Sequence, residues 1–370
     1  MILQNIEADY AEAQNFESSS MATAAYYRYL TADAQARAVE AALNSLSAIA
    51  AGDMEVLGGH LQGVAGKATN KLEAYQLQAR ASIANKTLGG RVDALNNMST
   101  FAQAFAYYRM GAAEQQQFAG IAENFEQIAQ QAGQEAAVGQ LFMKFLLATL
   151  YYEVAGVLVE FSEDWVSLAS SQGPEVTVTA EHCEALARAY ASAGGSCLSY
   201  FDALITEPQA EAAGVTKAAM QQQMGMVEFM YPFAVQLASY SEWAEGVYQA
   251  ADPMETALFK LGAGSSAYIY GAAIVNKYYS LSGQLNEDGT VVLGNKRVLG
   301  VMLDRARKRA LEEAGAIQEK FGFIPESVKM NYQLAIALRE GDDDDKLEAL
   351  QLFWQCAYLC DIARALAGEA

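Results

Sequence analysis

At 370 residues and 39.8 kDa the chain can bury a large core, and it holds only five prolines. Hydrophobic residues make up 52% and charged ones 18%, so much of the surface falls to Gln, Asn, Ser, Thr and Ala. A net charge of −20 argues against non-specific nucleic-acid binding, which needs cations to displace phosphate counterions, and disfavours docking on an anionic membrane. Solubility, or a cationic partner, is what remains.

The opening MILQNIEADYAEAQNF places Glu7 and Asp9 where a secretory signal needs an apolar run. The apolar stretches Phe145–Val159 and Leu261–Asn276 are shorter than a bilayer span, and the first contains Glu153. A soluble cytoplasmic protein without direct membrane insertion is expected, or a periplasmic one if a signal has been removed. Cys183, Cys197, Cys356 and Cys360 read as free, buried thiols. Cys356 and Cys360 share a helix face at i,i+4, a poor spacing for a disulfide.

In chain order, the first helix covers Leu3–Glu17, a second runs through MATAAYYRYL, and Thr31 and Asp33 open a third that stops at Gly52. Gly58, Gly59, Gly63 and Gly66 predict a break or a tight crossing in the next helix, which ends at Gly89-Gly90. Arg91–Met110, Ala112–Ala132 and Glu135–Phe161 follow, punctuated by Gly111 and Gly133; LFMKFLLATLYYEVAGVLVEF is apolar nearly all round and therefore buried. Gln172–Thr179 is a loop with alternating Val and Thr that suits a brief extended stretch. Helices are expected at Ala180–Ala193, Cys197–Thr206 and Thr216–Met230, then from a Pro232 kink or restart to about Ala251.

From Ala251 to Gly283 runs the stretch on which the rest is organised. Asp252 is a good N-cap, Pro253 suits the first turn, and Glu255 completes a capping-box spacing. Gly262, Gly264, Ser265, Ser266, Ala267, Gly271 and Ala272 are small enough for close helix approach in a long uncharged segment. It reads as a central buried strut. Gln284–Asn295 is a second loop, and Arg297–Phe321, Pro325–Arg339 and Asp345–Leu366 close the chain.

The tyrosine doublets Tyr26-Tyr27, Tyr107-Tyr108, Tyr151-Tyr152 and Tyr278-Tyr279 are offset by 81, 44 and 127 residues, near two, one and three units of a helical-hairpin repeat. In EALARAYASAGGSCLSYFDALITEP, the positions Leu186, Ala187, Tyr190, Gly194, Ala203 and Pro208 resemble the tetratricopeptide pattern, with a turn shorter than that family's. MNYQLAIALREGDDDDKLEALQLFWQCAYL is similar through Tyr332, Ala335, Gly341 and Ala349. The resemblance covers only a small part of the chain. It implies a superhelical stack with a concave peptide-binding face, and no binding residue carries over.

No motif for chemistry survives inspection. GAGSSA (Gly262–Ala267) imitates a dinucleotide fingerprint, but its glycines fall inside a helix, where backbone N–H groups are already spent. GVAGKAT (Gly63–Thr69) lacks the first glycine and the Mg²⁺ hydroxyl of a phosphate loop. QLNEDGTVVLGN lacks the first and last carboxylates of a calcium loop. Asp342–Asp345 with Glu348 resembles the aspartate-rich motif of all-α terpene synthases, yet it sits at a helix start, where acidic residues serve the dipole. His60 and His182 have no metal-ligand spacing around them. No catalytic, cofactor or metal residue is assigned. Tyr26, Tyr29, Tyr107, Tyr151, Tyr268, Tyr270 and Tyr278 suit core or interhelix ridges.

One polar segment stands out. KRVLGVMLDRARKR concentrates Lys296, Arg297, Arg305, Arg307, Lys308 and Arg309 in an acidic chain. It is either a solvated face, neutralised by Asp342–Asp345, or a docking patch for an acidic partner. The expected fold is all-α, with about twelve to fourteen helices in a helical-hairpin (solenoid-like) array or an irregular orthogonal bundle. Its regions are 1–171, 180–283 with the buried strut 253–282, and 296–370. The expected function is a non-enzymatic scaffold, adaptor or assembly subunit binding protein partners or itself. The alternative is a carrier holding an apolar ligand in a cavity beside Leu261–Val275. An unrecognised all-α enzyme is the third reading.

Overall fold

Scarce proline and abundant alanine and leucine carry straight through to the backbone. The computed structural model describes residues 2–18, 22–51, 53–166, 171–212, 214, 216–217, 220, 230–240, 252–280, 296–341 and 343–368. Among them are fourteen helical segments, twelve at least eight residues long, and no strand, so the fold is all-α. The predicted loop Gln284–Asn295, most of the predicted helix Thr216–Met230, and Asp342 lie outside the described residues.

Two units divide the chain: residues 1–78 with 103–164, and residues 79–102 with 165–370. Residues 79–102 thus belong with the C-terminal half, a partition that the three-region reading does not contain.

The N-terminal unit holds α1 (Ile2–Ser18), α2 (Ala22–Asn44), α3 (Leu46–Ala51) and α6 (Phe125–Ala132). It also holds most of α4 (Met54–Ser82), α5 (Leu88–Glu123) and α7 (Gln134–Val166). Buried Arg28 of α2 pairs with Glu12 of α1 at 3.1 Å, and Tyr10 meets Tyr29 edge-on at 5.3 Å. Leu30 and Ala34 pack on Val157 and Phe161 of α7.

Helix α7 is long and apolar enough to cross a bilayer, which the shorter run Phe145–Val159 does not reveal; 61% of its most apolar window is buried in protein. Helix α4 runs unbroken through its four glycines. A Cβ at Gly58, Gly59, Gly63 or Gly66 would meet nothing within 4 Å, so neither the predicted break nor a tight crossing exists. Gly111 likewise interrupts nothing: it lets α5 lie against the Tyr152 ring, where a Cβ would come within 2.9 Å.

In the C-terminal unit, α11 (Pro253–Ser280) is buried along nearly all of Glu255–Ile274. Its contacts run to α8 (Ala180–Leu204), α10 (Met230–Ala238), α12 (Lys296–Phe321) and α14 (Asp343–Leu366). A Cβ on Gly264 would sit 2.5 Å from the Ala187 carbonyl oxygen, and one on Gly194 2.6 Å from the Ala267 carbonyl carbon. These backbone approaches explain why α8 passes straight through Gly194-Gly195, where a hairpin turn was expected. Of the two segments that resemble a tetratricopeptide unit, the first is therefore one helix. The second does fold back, as α13 (Glu326–Leu338) on α14.

Asp252 caps α11 by accepting from the Met254 N–H at 2.9 Å, as its sequence position predicts. Glu255 closes no capping box: its buried carboxylate accepts two bonds from Arg80, at 2.7 and 2.9 Å. Ser99 of α5 and Ser266 of α11 share a hydrogen bond at 2.7 Å, beside the close approach of Gly262 to the Ser99 backbone. The Gln172–Thr179 loop is extended as predicted: Val176 N–H donates to the Lys86 carbonyl and Leu88 N–H to that of Pro174. Asp93 accepts from the Ser327 N–H at 3.1 Å and caps α13, whose N-cap, Pro325, has no side chain able to do so. A short helix, α9 (Glu207–Ala212), follows α8.

Candidate functional site: an aromatic cleft beside the central helix

Helix periodicity brings one face from each of three helices around a common space. Trp354, Ala357, Tyr358 and Asp361 stand at i, i+3, i+4 and i+7 on α14, and Ala189, Tyr190 and Ala193 on one side of α8. Tyr268, Ile269, Ala272 and Asn276 face them from α11, and Arg309 reaches in from α12. The alanines are too small to fill the room that the aromatic rings hold open. A cleft of about 480 Å³ results, within the range of small-molecule sites.

Its walls are ordered by ring contacts. Tyr190 meets Tyr358 edge-on at 4.7 Å between centroids and Tyr268 at 5.9 Å. The Arg309 guanidinium lies over the Trp354 ring, 5.6 Å from its centroid, and 3.5 Å from the Asp361 carboxylate. Arg364 joins Asp361 and Glu313, and Glu313 is also 4.0 Å from Arg309, so two cations and two anions balance at one edge of the cleft.

Two polar atoms in this wall are buried without a partner in hydrogen-bonding geometry: Trp354 Nε1 and the Tyr358 hydroxyl. Ser265 lies close to Tyr358 and favours its ionised form, while its own proton goes to the Gly262 carbonyl at 2.8 Å. Burial raises the Tyr358 phenol well above its usual range, with Tyr190 adding to the effect. Burial also takes Tyr190 up to about 12, helped by the Asp361 carboxylate and Tyr268. Both phenols are therefore neutral at physiological pH, able to donate a hydrogen bond and unsuited to act as a base. Nearby thiols are inert for the same reason: burial lifts Cys183 to about 11 and Cys360 to about 12.

The basic run read from the sequence is divided by the fold. Arg297, Arg305 and Lys308 are exposed on α12, and Lys308 pairs with Glu312 one turn along at 3.6 Å. Arg307 is half-buried near Tyr332, and the Lys296 side chain lies outside the described ones. Arg309 alone among them lines the cleft. Asp345, at the start of α14, is fully buried, and the side chains of Asp343 and Asp344 are outside the described ones.

The dinucleotide-like glycines lie in the middle of α11 and the phosphate-loop-like ones inside α4. His60 packs on Phe145 in the N-terminal unit, and the His182 backbone N–H donates to the Thr179 cap. Among the described residues no group of three or more His, Cys, Asp or Glu could hold a metal.

Trp354, Tyr358 and Asp361 were not singled out by sequence reading. Their signal was present as W-x-x-A-Y-x-x-D, but only the neighbouring helices turn that face into a wall. Compared with known protein families, curated proteins and solved structures, the chain matches none.

Proposed function

We propose that the C-terminal unit is a helical ligand-binding module that holds one small, largely apolar molecule in the cleft beside α11. The observation that carries this reading is the cleft itself, where three tyrosines and a tryptophan surround about 480 Å³ of unfilled space. The cleft leaves apolar and aromatic surface in contact with water, and a ligand of matching shape would cover it. The aromatic rings supply shape and contact area rather than chemistry, so the role is binding or carriage, not catalysis.

Native mass spectrometry of the chain purified from its own cells tests the reading, together with a thermal-shift panel of aromatic alcohols, amines and acids. One small-molecule adduct per chain, or a raised melting temperature that Ala193→Phe abolishes, is the expected result. A bare mass together with no shift across the panel contradicts it.

A second reading, a scaffold or assembly subunit that engages an acidic protein surface or another copy of itself, is favoured by exposed Arg297, Arg305 and Lys308 on α12. Reversing Arg305 and Lys308 to Glu should then reduce partner capture with helicity intact. Unchanged capture removes that patch.

A further inference from the structure

The edge of the cleft where Arg309 lies already accommodates a positive charge. The Arg309 guanidinium rests on the Trp354 face, 5.6 Å from the ring centroid, and pairs with Asp361 at 3.5 Å. Tyr190, Tyr268 and Tyr358 line the same cleft and add further electron-rich rings. Aromatic faces beside a carboxylate attract cations, most strongly where water is partly excluded.

Charge balance at this edge decides which ligand fits. Arg309 and Arg364 match Asp361 and Glu313 two against two. An anion entering here would add an unneutralised charge beside two carboxylates. A cation taking the place of Arg309 leaves the count unchanged. Arg309 has somewhere to go: its side chain is half exposed, so it can swing out into solvent and take its charge out of the cluster. The chain's net charge of −20 draws cations toward the protein in general.

We infer that the cleft selects an organic cation, an ammonium head carried on an apolar body, and that Arg309 is an internal placeholder which the ligand's cation displaces from Trp354 and Asp361. This rests on the ligand-binding reading above. It adds to that reading the charge of the ligand and a side chain that competes with it.

The test uses the full chain and three probes of one shape: choline, the alcohol with a tert-butyl group in place of trimethylammonium, and the tert-butyl carboxylate. Binding is followed by calorimetry for the wild type, Arg309→Ala, Arg309→Gln and Trp354→Leu, with circular dichroism as the check on folding. Choline should bind about tenfold more tightly than the neutral alcohol, and both Arg309 variants should tighten choline severalfold, more than they tighten the alcohol. Trp354→Leu should weaken choline about tenfold or more.

Equal binding of choline and the alcohol, indifferent to Arg309, overturns the cation inference and leaves the cleft as a ligand site. Weaker choline binding in both folded Arg309 variants overturns the placeholder role. Preference for the carboxylate overturns the charge assignment. No binding of any probe, in wild type and variants alike, contradicts both this inference and the ligand-binding reading.

Discussion

Each unit of this protein gathers tyrosines between helices, and the two do so to opposite effect. In the N-terminal unit Tyr107 and Tyr108 of α5 meet Tyr151 and Tyr152 of α7, at 6.3 and 5.2 Å between ring centroids. The Tyr152 hydroxyl donates to Gln115 at 2.7 Å, and the Tyr108 hydroxyl accepts from Thr69 at 3.0 Å. The tyrosine doublets, read in sequence as the beat of a repeat, here serve as two sides of one seam. In the C-terminal unit Tyr190 meets Tyr268 and Tyr358 just as closely, yet the three border an open cleft. Ring packing alone therefore does not mark a site. Accessible volume walled by those rings does.

The contrast can be broken most forcefully at the helix crossing that supports the cleft. Gly264→Leu would drive a side chain into the Ala187 carbonyl and part α8 from α11, costing about 3 kcal/mol or more and abolishing ligand binding. Gly63→Ala on α4 meets open space and should instead stabilise by up to about 1 kcal/mol. Chemical denaturation reads both. A tolerated Gly264→Leu would mean the crossing is not what holds the cleft in shape.

Removing single hydroxyls sharpens the comparison. Tyr152→Phe deletes a satisfied hydrogen bond and should cost about 1 kcal/mol. Tyr358→Phe deletes a hydroxyl without such a partner and should be neutral or mildly stabilising. Equal losses at both positions would erase the distinction drawn here.

Alkali should act on both units, with the smallest effect at physiological conditions. Burial raises Tyr152 and Tyr190 from the ordinary value of 10 to about 12, so the folded state favours the neutral phenol. Their contribution is complete below pH 10 and is lost as pH rises from there toward 12, because the unfolded chain ionises first. Denaturation midpoints measured across that window should fall, and less so in a Tyr152→Phe, Tyr190→Phe double variant. A pH-independent midpoint contradicts the assignment.

How much of this could be read in the residues depends on the range of the interaction involved. The buried strut was legible because its signals are local: the Asp252 cap, Pro253 in the first turn, and a charge-free run of small side chains. The glycines misled, since a glycine that ends a helix and one that lets two helices touch look alike in sequence. Gly111 and Gly194 were of the second kind. The partner of Glu255 was invisible for a related reason, because Arg80 lies far away in the chain and displaces the expected capping box. The cleft was the least legible feature. It needs Tyr190, Tyr268, Arg309 and Trp354 from four helices, and no spacing within one segment encodes that meeting.

The central claim is that the space beside α11 is a binding site and not a packing fault. Trp354 reports on it directly in a variant whose other two tryptophans, Trp165 and Trp243, are replaced by phenylalanine. Titrating this variant with choline, the tert-butyl alcohol and the carboxylate should produce a saturable, one-to-one change in Trp354 fluorescence for at least one of them. Ala193→Phe, which fills the cleft, should abolish that change with helicity retained. Flat titrations for all three, or a response that Ala193→Phe leaves intact, would contradict the account.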